Sequence, residues 1–236
     1  MSTFDTQIVV KLNADQAYAR WASSYDQTPN PLIALEERLL APVLRSFADQ
    51  DIVDLGCGTG RWLKRLQAFH PRSLTGIDSS PAMLAQAGKK CPLSTSLIEA
   101  NCTSTPLPAR SIDCALASFL LSYVTDLGRF AAEAARVLRQ GGTLIVSDLH
   151  PNTPSYGWRR TFRSGSDLFE ISTFPYALGD LIAAMSTAGL MLEHIEEPGF
   201  GDQEVDIFRA NGMLDRLHQV RSLPVLYWAQ FSRGVN

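Results

Sequence analysis

The stretch 51–60, Asp-Ile-Val-Asp-Leu-Gly-Cys-Gly-Thr-Gly, is the part of this chain best equipped for ligand chemistry. Ile52, Val53 and Leu55 around Asp54 read as a short buried strand that runs into Gly56, Gly58 and Gly60. Glycine lacks a Cβ and tolerates φ > 0, so the chain can turn sharply out of the strand and lie flat against a ligand before Arg61 opens a helix. A bare strand-to-helix turn seldom needs three glycines. A nucleotide-like ligand is therefore expected, and two details select among nucleotides. The dinucleotide fingerprint is G-x-G-x-x-G, with the pyrophosphate on an open helix N-terminus. Here the spacing is G-x-G-x-G, and Asp54 stands two residues before the first glycine. A carboxylate there repels a pyrophosphate and favours a cationic ligand. A second carboxylate, Asp78, follows Gly60 by eighteen residues and closes the apolar run 73–77. An α/β nucleotide fold delivers an acidic side chain to a ribose at this point, and a carboxylate can accept charge-assisted bonds from both hydroxyls. The competing role, capping the next helix, suits Ser80 followed by Pro81 better.

S-adenosylmethionine carries both an ammonium and a sulfonium. The loop and the residues after it resemble motif I of the class I methyltransferases that use this cofactor, and the resemblance extends from about Tyr18 to Ser147. It implies a doubly wound α/β fold with a seven-stranded Rossmann-like sheet, parallel with an antiparallel edge strand. It also implies in-line transfer of a methyl group to a small-molecule acceptor in a closed pocket. On this resemblance Asp54, Gly56, Cys57, Gly58, Gly60, Asp78, Ser79 and Met83 line the cofactor. The family places an acidic residue against the adenine amine where this chain has Asn101, and the next backbone N–H, here of Cys102, against a ring nitrogen. The Asn101 carbonyl can still accept a hydrogen bond, although a loop asparagine can equally close an Asx-turn. Tyr18, Trp21, Tyr25 and Asp26 match an N-terminal segment that folds over the cofactor; an aromatic stripe packed on the core is the other reading. Ser118 and Tyr123 follow the fourth strand, where the family holds the methionine part of the cofactor and borders the transferred methyl; Tyr123 is accordingly a catalytic candidate. Glu133, Arg136, Val137, Leu138, Gly141 and Gly142 match a further family segment, with Gln140 in place of its usual proline.

The elements that must position these residues emerge from periodicity. Asn13 caps a helix over 13–27, and 32–47 gives a second amphipathic helix with Leu35, Leu39, Leu40, Val43 and Leu44 on its apolar side. Strands are expected at 51–55, 73–77, 95–99, 112–117, 143–147, 190–196 and 223–231, and helices at 61–69, 130–139 and 176–188. The whole is read as a single domain over 1–236: a helical lid and scaffold over 1–48, a cofactor-binding core over 49–148, an acceptor-pocket insert over 149–175 and the rest of the sheet over 176–236. The insert interleaves Tyr156, Trp158, Arg159, Arg160 and Arg163, which suit a planar, aromatic or carboxylated acceptor through cation–π and bidentate contacts. They also suit a solvated hairpin. His150, three residues beyond the fifth strand, falls on the side where the methyl is expected, and an imidazole can take a proton at neutral pH. Its competing reading is a plain turn at His150-Pro151.

Composition narrows the class. With 236 residues, 45% hydrophobic and 19% charged, the chain can bury one substantial core. A net charge of −3 leaves no electrostatic footprint for a phosphate backbone, so no nucleic-acid partner is expected. The four cysteines form no C-x-x-C pair, no signal segment is expected from the look of the N-terminal residues, and no apolar run approaches the roughly 20 residues that span a bilayer. A cytoplasmic protein with no membrane partner and no metal is expected. Two alternatives stay open: an NAD-dependent oxidoreductase, disfavoured by the loop spacing and Asp54, and a non-catalytic methyltransferase-like binding subunit.

Overall fold

The computed structural model describes residues 9–27 and 29–234; the expectation about a signal segment falls partly on residues 1–8, outside the described residues. Strand β1 (Val9–Leu12) leads into α1 (Ala14–Trp21), which starts where Asn13 accepts the Gln16 N–H at 2.9 Å and Gln16 accepts the Asn13 N–H at 3.4 Å. This reciprocal cap satisfies two otherwise orphaned donors. Helix α2 (Pro31–Leu44) begins behind an Asn30 cap with proline in its first turn. The alternating core continues as β2 (Asp51–Leu55), α3 (Arg61–Gln67), β3 (Ser73–Asp78), α4 (Pro81–Lys90), β4 (Ser96–Glu99), β5 (Ile112–Ser118), α5 (Leu127–Val137) and β6 (Leu138–Leu149). The chain ends through β7 (Thr161–Ser164), β8 (Asp167–Ile171), α6 (Leu178–Thr187), β9 (Leu190–Glu196), α7 (Val205–Ala210), α8 (Leu214–Val220) and β10 (Leu226–Arg233).

Seven strands pair in the order β4-β3-β2-β5-β6-β10-β9. All neighbours from β4 to β6 are parallel, and β10 is antiparallel to both β6 and β9. The antiparallel member of the edge pair is thus one place in from the rim. One face of the sheet buries Phe130, Leu181 and Met185 from α5 and α6; the other buries Leu40, Leu44, Trp62 and Leu63 from α2 and α3. Strand order reverses between β2 and β5, which opens a crevice at their carboxyl ends, the place where such sheets bind ligands.

A second sheet, β1-β8-β7, stands apart from the first. The hairpin β7–β8 comes from the insert, and β1 joins it in parallel from the other end of the chain. Ala17 of α1 packs with Phe162, Phe169 and Ile171 of this sheet. Residues 9–21 and 161–171 therefore form one cap. Asp26 ties it to the body by accepting from Thr59 Oγ1 at 2.9 Å and pairing with Lys90, and the Phe174 N–H donates to the Ser122 carbonyl at 2.7 Å.

Glu133, in the family-like segment of α5, braces the loop after β4. One of its oxygens accepts from the Thr105 N–H and hydroxyl, both at 2.6 Å, and Arg136 donates to both oxygens at 2.7 and 2.8 Å. The Arg136 bond, aided by those from Thr105 and working against burial, holds this carboxyl at about 2. A depressed value stabilises the fold above the unfolded carboxyl pKa of about 4.3, and the contribution is lost as pH falls toward the folded value. Glu133→Gln should thus cost about 1–3 kcal/mol at neutral pH, with the gap to wild type closing in acid. Denaturant titrations at the two pH values measure this, and equal stability at neutral pH would rule the brace out.

Candidate functional site

A cavity of about 510 Å³ opens at the carboxyl ends of β2 to β5, with α1 and the segment after it alongside. Its lining includes Asp54, Gly56, Cys57 and Gly58; Asp78, Ser79 and Met83; Asn101 and Cys102; Ser118 and Tyr123; and Tyr18 and Tyr25. The fold therefore gathers most of the cofactor candidates in one place. Trp21 and Gly60 are the exceptions.

The glycine loop is held by the neighbouring strand, since the Gly56 and Cys57 N–H groups both donate to the Ile77 carbonyl, at 2.7 and 2.9 Å. Gly58 has φ +54°, and a Cβ there would meet nothing within 4 Å, so its open side is the cavity. At Gly60, φ is +79° and a Cβ would come within 2.9 Å of Cys91 Sγ and 3.1 Å of Ala87 Cβ. The third glycine thus lets α4 pack against the loop, and, unlike the other two, it does not line the cavity. Cys57 is buried and Cys102 half-buried, and desolvation pushes the Cys102 thiol up to about 11 and that of Cys57 higher still. Neither is a thiolate at neutral pH.

Asp78 accepts the Gly58 N–H on one oxygen and the Ser80 N–H on the other, each at 2.8 Å. Burial raises its pKa against these two bonds. The helix cap falls to Ser80, whose hydroxyl accepts the Met83 N–H at 3.4 Å. Each Asp78 oxygen keeps a further acceptor position.

Asp54 is 2% exposed, and its Oδ1 has no hydrogen-bond partner among the described residues. Burial, with Glu36 and Asp78 nearby and Arg61 opposing, lifts its carboxyl to about 8. A buried acidic group with an orphaned oxygen facing a cavity fits a cation.

Sequence patterning marks α2 as scaffold and passes over Glu36. This fully buried carboxylate accepts from Arg61 at 2.5 Å, Trp62 Nε1 at 3.2 Å, Ser118 Oγ at 2.5 Å and Ser147 Oγ. Arg61 lines the cavity and also bonds Ser118 at 2.9 Å and Glu37 at 3.2 Å. A signal is present in the sequence: Glu36 lies one helical turn before Leu40 within the apolar stripe, and a buried charge in a stripe needs a partner.

Other candidates are placed differently from expectation. Asn101 Oδ1 already accepts from the Thr103 N–H at 2.9 Å and its hydroxyl at 2.8 Å. The Asx-turn forms, and an adenine amine would have to displace Thr103 to use that oxygen. Tyr18 and Tyr25 line the cavity, whereas Trp21 stacks on Phe162 at 4.8 Å in the core of the cap. The lid and core readings therefore belong to different rings. Tyr123 meets Tyr18 edge-on at 5.4 Å, and burial pushes its phenol up to about 12. It is protonated at neutral pH, so it can donate a hydrogen bond and cannot act as a base.

His150 does not line this cavity. Strand β6 pairs with β10, and the His150 N–H donates to the Val225 carbonyl, which carries the ring into a second, smaller cavity of about 200 Å³. There Nδ1 accepts the Asn152 N–H at 3.2 Å and Nε2 lies 2.7 Å from Glu197 Oε2. With both ring nitrogens engaged and the ring in a different cavity, the expected base is corrected. Trp158, Arg159 and Arg160 share this second cavity, Arg159 pairing with Glu170 at 3.3 Å. Tyr156 packs in the cluster of Phe200 and Phe208, and Arg163 sits exposed on β7; neither lines either cavity.

Residues 53–146, the span from β2 to β6, match the family described as the methyltransferase domain. Over this span the chain carries a methyltransferase domain. A demethylmenaquinone methyltransferase of Tropheryma whipplei (strain Twist) is 34% identical over 57% of this chain and 58% of its own length. A malonyl-[acyl-carrier protein] O-methyltransferase of Hahella chejuensis is 30% identical over 65% of this chain and 55% of its own. The matches thus span little more than half the length of these curated relatives. Among solved structures, an S-adenosylmethionine-dependent methyltransferase from Mesorhizobium loti superposes with a TM-score of 0.65 at 22% identity, covering 81% of this chain and 96% of that one. This likeness establishes the fold. The orphaned Asp54 oxygen and the open face of Gly58 fit the family's cofactor.

Proposed function

We propose that the protein transfers a methyl group from S-adenosylmethionine to a small-molecule acceptor that is aromatic or carboxylated. The observation that carries this reading is Asp54, a buried carboxyl with an unpartnered oxygen in the cavity beside the glycine loop. The cofactor, when bound, supplies an electrophilic methyl group on its sulfonium. The protein's own part is to hold and to exclude. Asp54 would balance the ammonium, Asp78 would accept from the ribose, and Tyr18 and Tyr25 would cover the site and keep water out. Holding the acceptor in line can contribute roughly 7–11 kcal/mol of barrier reduction. The neutral Tyr123 phenol, whose hydroxyl lies in the cavity next to Tyr18, would orient the acceptor by donating to it.

The small-molecule reading agrees with a net charge of −3, and relatives named for demethylmenaquinone and malonyl-[acyl-carrier protein] support it without naming this chain's acceptor. A cytoplasmic setting agrees with free thiols at Cys57, Cys91, Cys102 and Cys114. Among the described residues no helix is long and apolar enough to cross a membrane. Incubation with methyl-labelled cofactor and a metabolite extract, with mass identification of the labelled product, tests the proposal. Failure to bind S-adenosylhomocysteine in calorimetry would refute it.

A further inference from the structure

The smaller cavity has a chemistry that the cofactor does not use. Two N–H donors on its lining residues, Arg160 Nε and Trp158 Nε1, are buried without a hydrogen-bond partner among the described residues. Buried donors of this kind are uncommon, and each calls for a specific reason. Both side chains are held in place. Arg160 pairs with Asp148, itself 1% exposed, and lies over the rings of Tyr123 at 5.1 Å and Phe119 at 5.3 Å. Trp158 packs on Phe200 at 5.5 Å, with the Arg216 guanidinium 5.8 Å from its ring. Packing and the ion pair hold both side chains in place.

Three features define what would satisfy them. Two N–H groups ask for two acceptor atoms. Asp148 and Glu170 line the same cavity, so a second negative charge on the ligand would be repelled, which favours a monoanionic carboxylate over a phosphate dianion. The volume of about 200 Å³ is below the roughly 300 Å³ at which sites for whole drug-sized ligands begin, so the cavity takes one end of a molecule. The two cavities adjoin. Phe174 lines both, and the Tyr123 and Phe119 rings that carry Arg160 line the larger one.

We propose that the smaller cavity is a carboxylate subsite for the far end of the methyl acceptor, built on Arg160 Nε–H and Trp158 Nε1–H. This rests on the methyl-transfer reading above and adds the acceptor's class: a monocarboxylate whose methylated atom reaches back to Tyr123. Arg160 is then an anchoring residue, while Asp148 positions it.

Benzoate is a suitable probe and benzamide its neutral counterpart, added to the ¹⁵N-labelled full chain. The chain has four tryptophans, and Trp158→Phe identifies the indole N–H resonance of Trp158 by its disappearance. Benzoate should shift that resonance with a Kd of about 10 mM, as expected for a fragment of its size, and benzamide should bind several-fold more weakly. Arg160→Lys keeps a charge for Asp148 but loses the planar fork, and should weaken benzoate about tenfold while S-adenosylhomocysteine affinity is unchanged. A protein that binds S-adenosylhomocysteine yet gives no benzoate-specific shift at Trp158 overturns the subsite. A shift with inorganic phosphate and none with benzoate overturns the carboxylate assignment. A benzoate shift without S-adenosylhomocysteine binding would sink the methyl-transfer reading and leave the carboxylate site standing.

Discussion

Asp54→Asn is expected to weaken S-adenosylhomocysteine binding by about 10- to 150-fold at pH 8, the equivalent of the roughly 1.5–3 kcal/mol of a hydrogen bond to a charged group. It is also expected to remove most of the pH dependence of binding. In the free protein burial lifts the Asp54 carboxyl to about 8, so near neutrality it holds its proton. An ammonium beside it favours the ionised form, and binding must therefore release a proton. Affinity of the wild type should rise between pH 6 and 7 by up to about tenfold, and calorimetry in buffers of different ionisation enthalpy should detect the released proton. The stability of the free protein runs the opposite way. The folded pKa lies above the unfolded value of about 3.9, so the folded state binds the extra proton and loses stability as pH rises from about 4 toward 8. Asparagine has no such proton, and the variant's stability should fall less across that window. A binding constant equal to wild type at both pH values would remove Asp54 from the site.

Gly58→Val is expected to lower S-adenosylhomocysteine affinity by at least about 100-fold, or roughly 2.7 kcal/mol, while the protein still folds. A Cβ at this position meets no protein atom within 4 Å, so the branched side chain projects into the space that the ligand needs. The backbone there is left-handed, at φ +54°, and valine in that region costs on the order of 1–2 kcal/mol of stability. Gly58→Asn separates the two effects, because asparagine tolerates the left-handed region and still fills the cavity. It should bind as poorly as the valine variant with a melting temperature closer to wild type. Should the valine variant bind normally, the loop would be a structural turn and the site would lie elsewhere.

Fold class, glycine loop, Asp54 and Asp78 were legible in the sequence because each depends on neighbours close along the chain. A buried strand, a glycine turn and a helix start at 51–61 are local events, and Asp78 ends the next strand in register with β2, Leu55 facing Ile77. Spacing alone carries such information. The same holds for the Asn13, Asn30 and Ser80 caps, whose partners lie two or three residues away.

Other features depend on which distant elements meet, and only the tertiary structure settles them. Glu36 reads as one polar residue in a helix until α2 packs beside Arg61, Ser118 and Ser147, three residues from three other elements or their ends. Trp21 leaves the ligand because Phe162, from the hairpin of the insert, offers it a flat partner. Asn101 commits its oxygen to Thr103, which provides two donors at once. His150 looked well placed for chemistry by its distance from the strand end, but pairing of β6 with β10 sends its ring to Glu197 instead. Strand count along the sequence gives the end of the sheet at which a residue emerges. The side to which its side chain turns is decided by the neighbouring strand, and here that strand begins 76 residues later, at Leu226.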